Sequence, residues 1–65
     1  MSDWKQRLVE EHQQLYERLT KLSAFISGNP TFSALSADHK EILRRQRDAM
    51  LDYEDALSER LLLLD

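Results

Sequence analysis

Few residues in this 65-residue chain have the types and spacing that chemistry requires. Ser36, Asp38 and His39 carry the side chains of a hydrolytic triad, but all three fall within one turn of chain. A nucleophile, its base and the group that orients the base converge from separate elements. Helix capping by Ser36 accounts for the cluster more simply. A metal site would need convergent histidines, thiolates or carboxylates. His12 and His39 lie in different predicted helices, neither follows a glutamate by three residues, and there is no cysteine. His12 falls between Leu8 and Leu15, where a hydrogen-bonded or water-facing histidine is the ordinary reading. With no glycine-rich phosphate loop and no paired-carboxylate cleft, the sequence reads as a non-enzymatic protein without a cofactor or metal.

The charged residues are more informative. Between Arg18 and Arg47 there are six basic residues (Arg18, Lys21, Lys40, Arg44, Arg45 and Arg47) against two acidic ones, Asp38 and Glu41. The rest of the chain has three basic residues against ten acidic ones, and the whole carries a net charge of −3. Lys40, Arg44 and Arg47 stand at i, i+4 and i+7, which is one face of a helix. Arginine suits bidentate recognition of phosphate. The cluster therefore fits an anion or acidic-partner site. A solvated face and head-to-tail self-association of basic and acidic ends remain open beside that reading. Tyr16 and Tyr53 are the aromatic residues that would stack on a base, although at helical spacing tyrosine also serves as a packing anchor. The net negative charge argues against general nucleic-acid binding.

The elements that must position these groups are two helices. One glycine and one proline among abundant Leu, Glu, Arg, Gln and Ala is a helix-forming composition. Leu8, Leu15 and Leu22 recur every seven residues, and Leu19 and Ile26 interleave with them, which is the seam of a helix packed on helices. Val9 and Tyr16 widen the stripe. Asp3 and Gln6 predict a capping box at the start. Gly28-Asn29-Pro30 predicts the stop, with Gly28 in the left-handed conformation. Phe32 and Leu35 are too apolar for a solvated loop and are expected to plug the end of the hairpin. Ser36 caps the second helix, whose Leu43, Met50, Leu57 and Leu64 lie seven apart beside Ile42, Ala49, Ala56 and Leu63. Gln46, Tyr53 and Arg60 form a further line at the same interval. The expected chain is one all-α domain over 1–65, an antiparallel two-helix hairpin with helices at about 4–27 and 37–63 and a loop at 28–36.

A chain this small buries little and contains no disulfide, so association with itself is the available route to stability. The sequence predicts a homo-oligomeric bundle, a dimer in its simplest form. Its contacts are expected through Leu8, Leu15, Leu19, Met50, Leu57, Leu61 and Leu64. No apolar run approaches a membrane span, and the chain opens without a signal-like segment, so a cytoplasmic location is expected.

Helix 2, read as Leu43-x-x-Gln46-x-x-x-Met50-x-x-Tyr53-x-x-x-Leu57-x-x-Arg60 after Phe32-x-x-Leu35 and a first helix ending Leu22-Ser23-Ala24-Phe25-Ile26, resembles a family of small phage and prophage proteins named after a protein of a crAss-like phage. The resemblance implies a viral or prophage accessory protein that counters host defences in the host cytoplasm. On that basis the expected function is sequestration of an anionic, cyclic nucleotide signal in an oligomer. Arg18, Lys21, Lys40, Arg44 and Arg47 would hold phosphate, and Tyr16 or Tyr53 would hold a base. The alternative is a module that binds and blocks or scaffolds a host or phage protein, for which the acidic stretch from Asp48 to Glu59 suits a basic partner.

Overall fold

The computed structural model describes residues 3–64 and is all-helical there. α1 spans Asp3–Gly28, α2 is a single turn over Pro30–Ser33, and α3 spans Ala37–Leu62. α1 and α3 pack antiparallel into a rod measuring 49 × 15 × 14 Å. Its radius of gyration is 14.8 Å, against about 11 Å for a compact domain of this length. No helix among the described residues is long and apolar enough to cross a membrane.

The helix ends follow local chemistry. Asp3 is already helical, with its carboxylate in the first turn, where the helix dipole favours negative charge. Gln6 donates to Glu10 at 3.2 Å and does not reach back, so the predicted capping box is not formed. Gly28 also departs from expectation. It stays within α1, and no glycine has a positive φ. Pro30 explains the stop without it, because proline disfavours helical geometry in the residue before it. Asn29 accordingly turns extended (φ −90°, ψ 127°). Its side-chain oxygen accepts from the Thr31 amide at 2.8 Å, and Pro30 opens α2 where its missing N–H costs nothing. Ser36 caps α3 as expected, accepting from the His39 amide at 3.2 Å.

Packing follows the facing seams of α1 and α3. From the open end to the middle of the rod, Leu8, Leu15 and Leu57 form the buried cluster, with Met50, Leu61 and Leu64 packed against it. At the loop end Phe32 is buried, and Phe25 meets it edge-on with ring centroids 5.8 Å apart. Phe32 thus closes the loop end of the hairpin as expected, and Leu35 is half-buried. Between the ends the α3 seam runs through Leu43 and Arg47, both half-buried. Among the described residues only Leu8, Leu15, Leu19, Phe32 and Leu57 are buried. A buried leucine contributes roughly 1.5–3 kcal/mol, so this core is small.

Leu8, Leu15, Leu19 and Leu57 thus face inward within one chain, and Met50, Leu61 and Leu64 are partly covered by the same cluster. The heptad lines that predicted an interface between copies are used inside the hairpin. Heptad spacing records that a helix packs, not whether its partner belongs to the same chain. The faces left outward carry Val9, Tyr16, Ile42, Leu51, Tyr53, Leu62 and Leu63.

Candidate functional site

The loop end gathers the groups best suited to binding. Phe32 is carried there by α2, and the first two turns of α3 bring two cations onto its ring. The Lys40 ammonium lies 5.9 Å from the ring centroid and the Arg44 guanidinium 5.5 Å. Aromatic faces attract cations through their quadrupole. The short turn between α2 and α3, ended by the Ser36 cap, sets this spacing.

Phe25 also lines a shallow concavity of about 540 Å³, open to solvent, together with Lys21, Ala24, Gly28, Asn29 and Pro30. Phe25, Ala24 and Pro30 make its floor apolar, and Lys21 gives it a positive edge. Arg18 precedes Lys21 by three residues and Phe25 by seven, so it shares their face of α1. The arrangement is an aromatic pair flanked by cations from both long helices. Flat apolar surface beside several positive groups can hold a planar ring and a nearby anion together. Charged contacts in so open a site are weakened by salt.

Arg47 is placed differently. It lies half-buried in the α3 seam, one heptad after Lys40, and its guanidinium reaches the Asp48 carboxylate at 3.3 Å. A side chain there is constrained by α1 and less free to reach outward.

The two tyrosines are not brought to this end. Tyr16 stands about 140° around α1 from Lys21 and about 200° from Arg18, and its ring stacks on His12 with centroids 6.4 Å apart. Tyr53 lies about 9 Å along α3 beyond Arg47, exposed on the outer face. The structure puts Phe25 and Phe32 where the sequence reading put tyrosines. The signal is present in the sequence, since Phe25 falls near the end of the first helix and Phe32 is too apolar for a solvated loop. What was missing was that a plug can also present its ring to cations.

A second polar group occupies the seam nearer the open end. His12 Nε2 lies 2.7 Å from Glu54 Oε2 and 3.0 Å from Ser58 Oγ, and the Ser58 hydroxyl donates to the same carboxylate oxygen at 2.6 Å. The carboxylate accepts only, which fixes Nε2 as the protonated nitrogen. Ser58 accepts from it in turn. The hydroxyl hydrogen is committed to Glu54, and Nε2 has no free lone pair, so this histidine does not activate this serine. Hydrogen bonds from Ser58, then from His12, hold the Glu54 carboxyl below the usual carboxylate range, against a smaller opposing effect of burial. His12 is the hydrogen-bonded seam histidine expected of its position. Glu54 and Ser58 were not anticipated as its partners, although both share the inner face of α3 with Leu57 and Leu61. Among the described residues no group of three metal-ligating side chains converges.

Neither a curated protein nor a solved structure matches the chain. A family model described as Sequestin matches residues 2–63.

Proposed function

The chain belongs to the Sequestin family, and from that premise we propose that it is a non-enzymatic sequestering protein that holds a small anionic cyclic nucleotide at its loop end. The family's name hints at sequestration, and the resemblance to small phage and prophage proteins suggests a counter-defence role in the cytoplasm of a host cell.

The observation that carries this reading is the Phe25–Phe32 pair, with Lys40 and Arg44 over Phe32 and Lys21 lining the concavity beside Phe25. A base would lie on the floor made by Phe25 and Pro30, with its phosphate held by Lys21 and Arg18. Lys40 and Arg44 supply further positive charge beyond Phe32, and Arg47 contributes at longer range. Tyr16 and Tyr53 are left out of the base contact. Binding tight enough to deplete a signal needs a drier pocket than one hairpin offers, so the proposal includes a homo-oligomer that covers part of this end.

The test is calorimetric titration with a panel of cyclic mono- and dinucleotides, beside uncharged nucleosides. The expected result is saturable binding of a phosphate-bearing ligand and at least a tenfold loss in Arg18→Glu/Lys21→Glu, whose helical content should stay unchanged. Equal affinity for the uncharged nucleoside, or for the charge-reversed variant, would sink the proposal.

A second reading rests on a separate observation. Leu62 and Leu63 are 78% and 83% exposed at the acidic end of the rod. Exposed leucines beside Asp55 and Glu59 would suit a basic, partly apolar protein partner. Stoichiometric recovery of one host protein by the full chain, lost in Leu62→Ser/Leu63→Ser, would favour that reading.

A further inference from the structure

α3 carries two seams, and only one is used within the chain. The inner seam, through Leu43, Met50 and Leu57, packs on α1. About 100° around the helix, Ile42, Ala49, Ala56 and Leu63 alternate with Gln46, Tyr53 and Arg60 in an unbroken four-three repeat. All seven side chains are exposed. The stripe is continuous for about 32 Å. A four-three repeat with apolar ends, a central tyrosine and two alanines that permit close approach is the pattern of a helix–helix contact. It exceeds what a solvated face requires.

We infer that this outer seam of α3 docks on the same seam of a second copy, antiparallel about a two-fold axis near Tyr53. The charge order along α3 sets the direction. Lys40, Arg44, Arg45 and Arg47 outnumber Asp38, Glu41 and Asp48 in its first half, whereas Asp52, Glu54, Asp55 and Glu59 outnumber Arg60 in its second. Antiparallel pairing sets the basic half of each copy beside the acidic half of the other. Parallel pairing would set the two acidic halves against each other. In the symmetric register Ile42 meets Leu63 of the second copy and Ala49 meets Ala56 of the second copy.

The exposed area fits the same occupant. The chain exposes 5101 Å², whereas a compact monomer of 7.7 kDa would expose about 4,300 Å². The excess of roughly 800 Å² is what one partner contributes to a standard interface. One consequence concerns the loop ends: they lie at opposite ends of the pair, and in this register each projects past the last turn of the other copy's α3. The pairing rests on α3 alone and does not depend on what the loop end binds.

The test uses the absence of native cysteine. Wild type should sediment at twice the 7.7 kDa chain mass. Ala49→Glu/Ala56→Glu, at two exposed positions, should dissociate at least tenfold more readily while keeping its helical circular dichroism. Added salt should weaken the wild-type pair. Ala49→Cys mixed with Ala56→Cys should oxidise mainly to the mixed disulfide, and Ala49→Cys alone should cross-link poorly. A monomeric wild type at tens of micromolar overturns the inference, as does an unchanged mass in the double glutamate variant. Preferential Ala49→Cys self-cross-linking overturns the antiparallel direction. A variant that is monomeric yet still binds nucleotide would separate this contact from the sequestering function.

Discussion

Replacing Phe32 with leucine tests whether the loop end is organised by an aromatic ring or merely filled by an apolar one. Phe32 is 5% exposed, so leucine would remain covered and keep most of the hydrophobic contribution. What it loses is specific. The edge-on contact with Phe25 contributes about 0.5–1.5 kcal/mol beyond area. The Lys40 and Arg44 contacts contribute about 0.5–1 kcal/mol each at exposed sites. Because the three share one ring they will not add fully, so the expected loss is about 2 kcal/mol. A hairpin of this size has only about 3–5 kcal/mol to lose. Phe32→Leu should therefore lower the melting temperature by about 8–15 °C, and Phe32→Ala, at about 3–5 kcal/mol, should leave the chain largely unfolded. Urea melts followed at 222 nm, at matched protein concentration because association also stabilises, give the free energies. In an Arg44→Met background the Phe32→Leu loss should shrink by about 0.5 kcal/mol or more. A Phe32→Leu protein within about 0.5 kcal/mol of wild type would refute the account of this end, leaving Lys40 and Arg44 merely adjacent to the ring.

Other perturbations test other parts of the structure. Gly28 is helical, and a Cβ there would meet nothing within 4 Å, so Gly28→Ala should stabilise by about 0.5 kcal/mol; a loss of 1 kcal/mol or more in the same melt would mean the glycine needs a left-handed backbone after all. Leu57 is 2% exposed at the centre of the open-end cluster, and Leu57→Ala should cost about 2–5 kcal/mol, read as loss of helical circular dichroism at 25 °C. Because Glu54 is held below the usual carboxylate range in the folded chain, its contribution is present above the unfolded carboxyl's pKa and is lost as pH falls through the lower folded value. The acid limb of a pH–stability profile should therefore flatten in Glu54→Gln; an identical acid limb in the variant would contradict the assignment.

The fold was legible because its signals are local and redundant. Two heptad lines, one Pro-containing break and one serine cap define two helices and the turn between them. The inward use of Leu8, Leu15, Leu19 and Leu57 was not legible, because a repeat of seven marks a packing face without naming the partner. The line of α3 that packs was legible, because Leu43, Met50, Leu57 and Leu64 are bulkier and more apolar than the flanking Ile42, Ala49, Ala56 and Leu63. Gly28 misled because glycine before Asn-Pro suits two different helix stops, and proline's effect on Asn29 suffices. The basic loop end was legible from Arg18 to Arg47 as a charge pattern. The choice of ring was not: Tyr16 and Tyr53 have polar tips that suggest recognition, whereas Phe25 and Phe32 reach the cations only through the geometry of the turn.

The buried cluster of Leu8, Leu15 and Leu57 reaches from near the open end to the middle of the rod, with Leu61 and Leu64 at its outer edge. Chain ends are ordinarily the expendable part of a domain; in this hairpin they fasten it. Removing residues 61–65 takes away two of the side chains that pack on the cluster, Leu61 and Leu64, while the helix ahead of them stays intact. Such a truncation should open the rod from its mouth inward, long before the plug at the other end is disturbed.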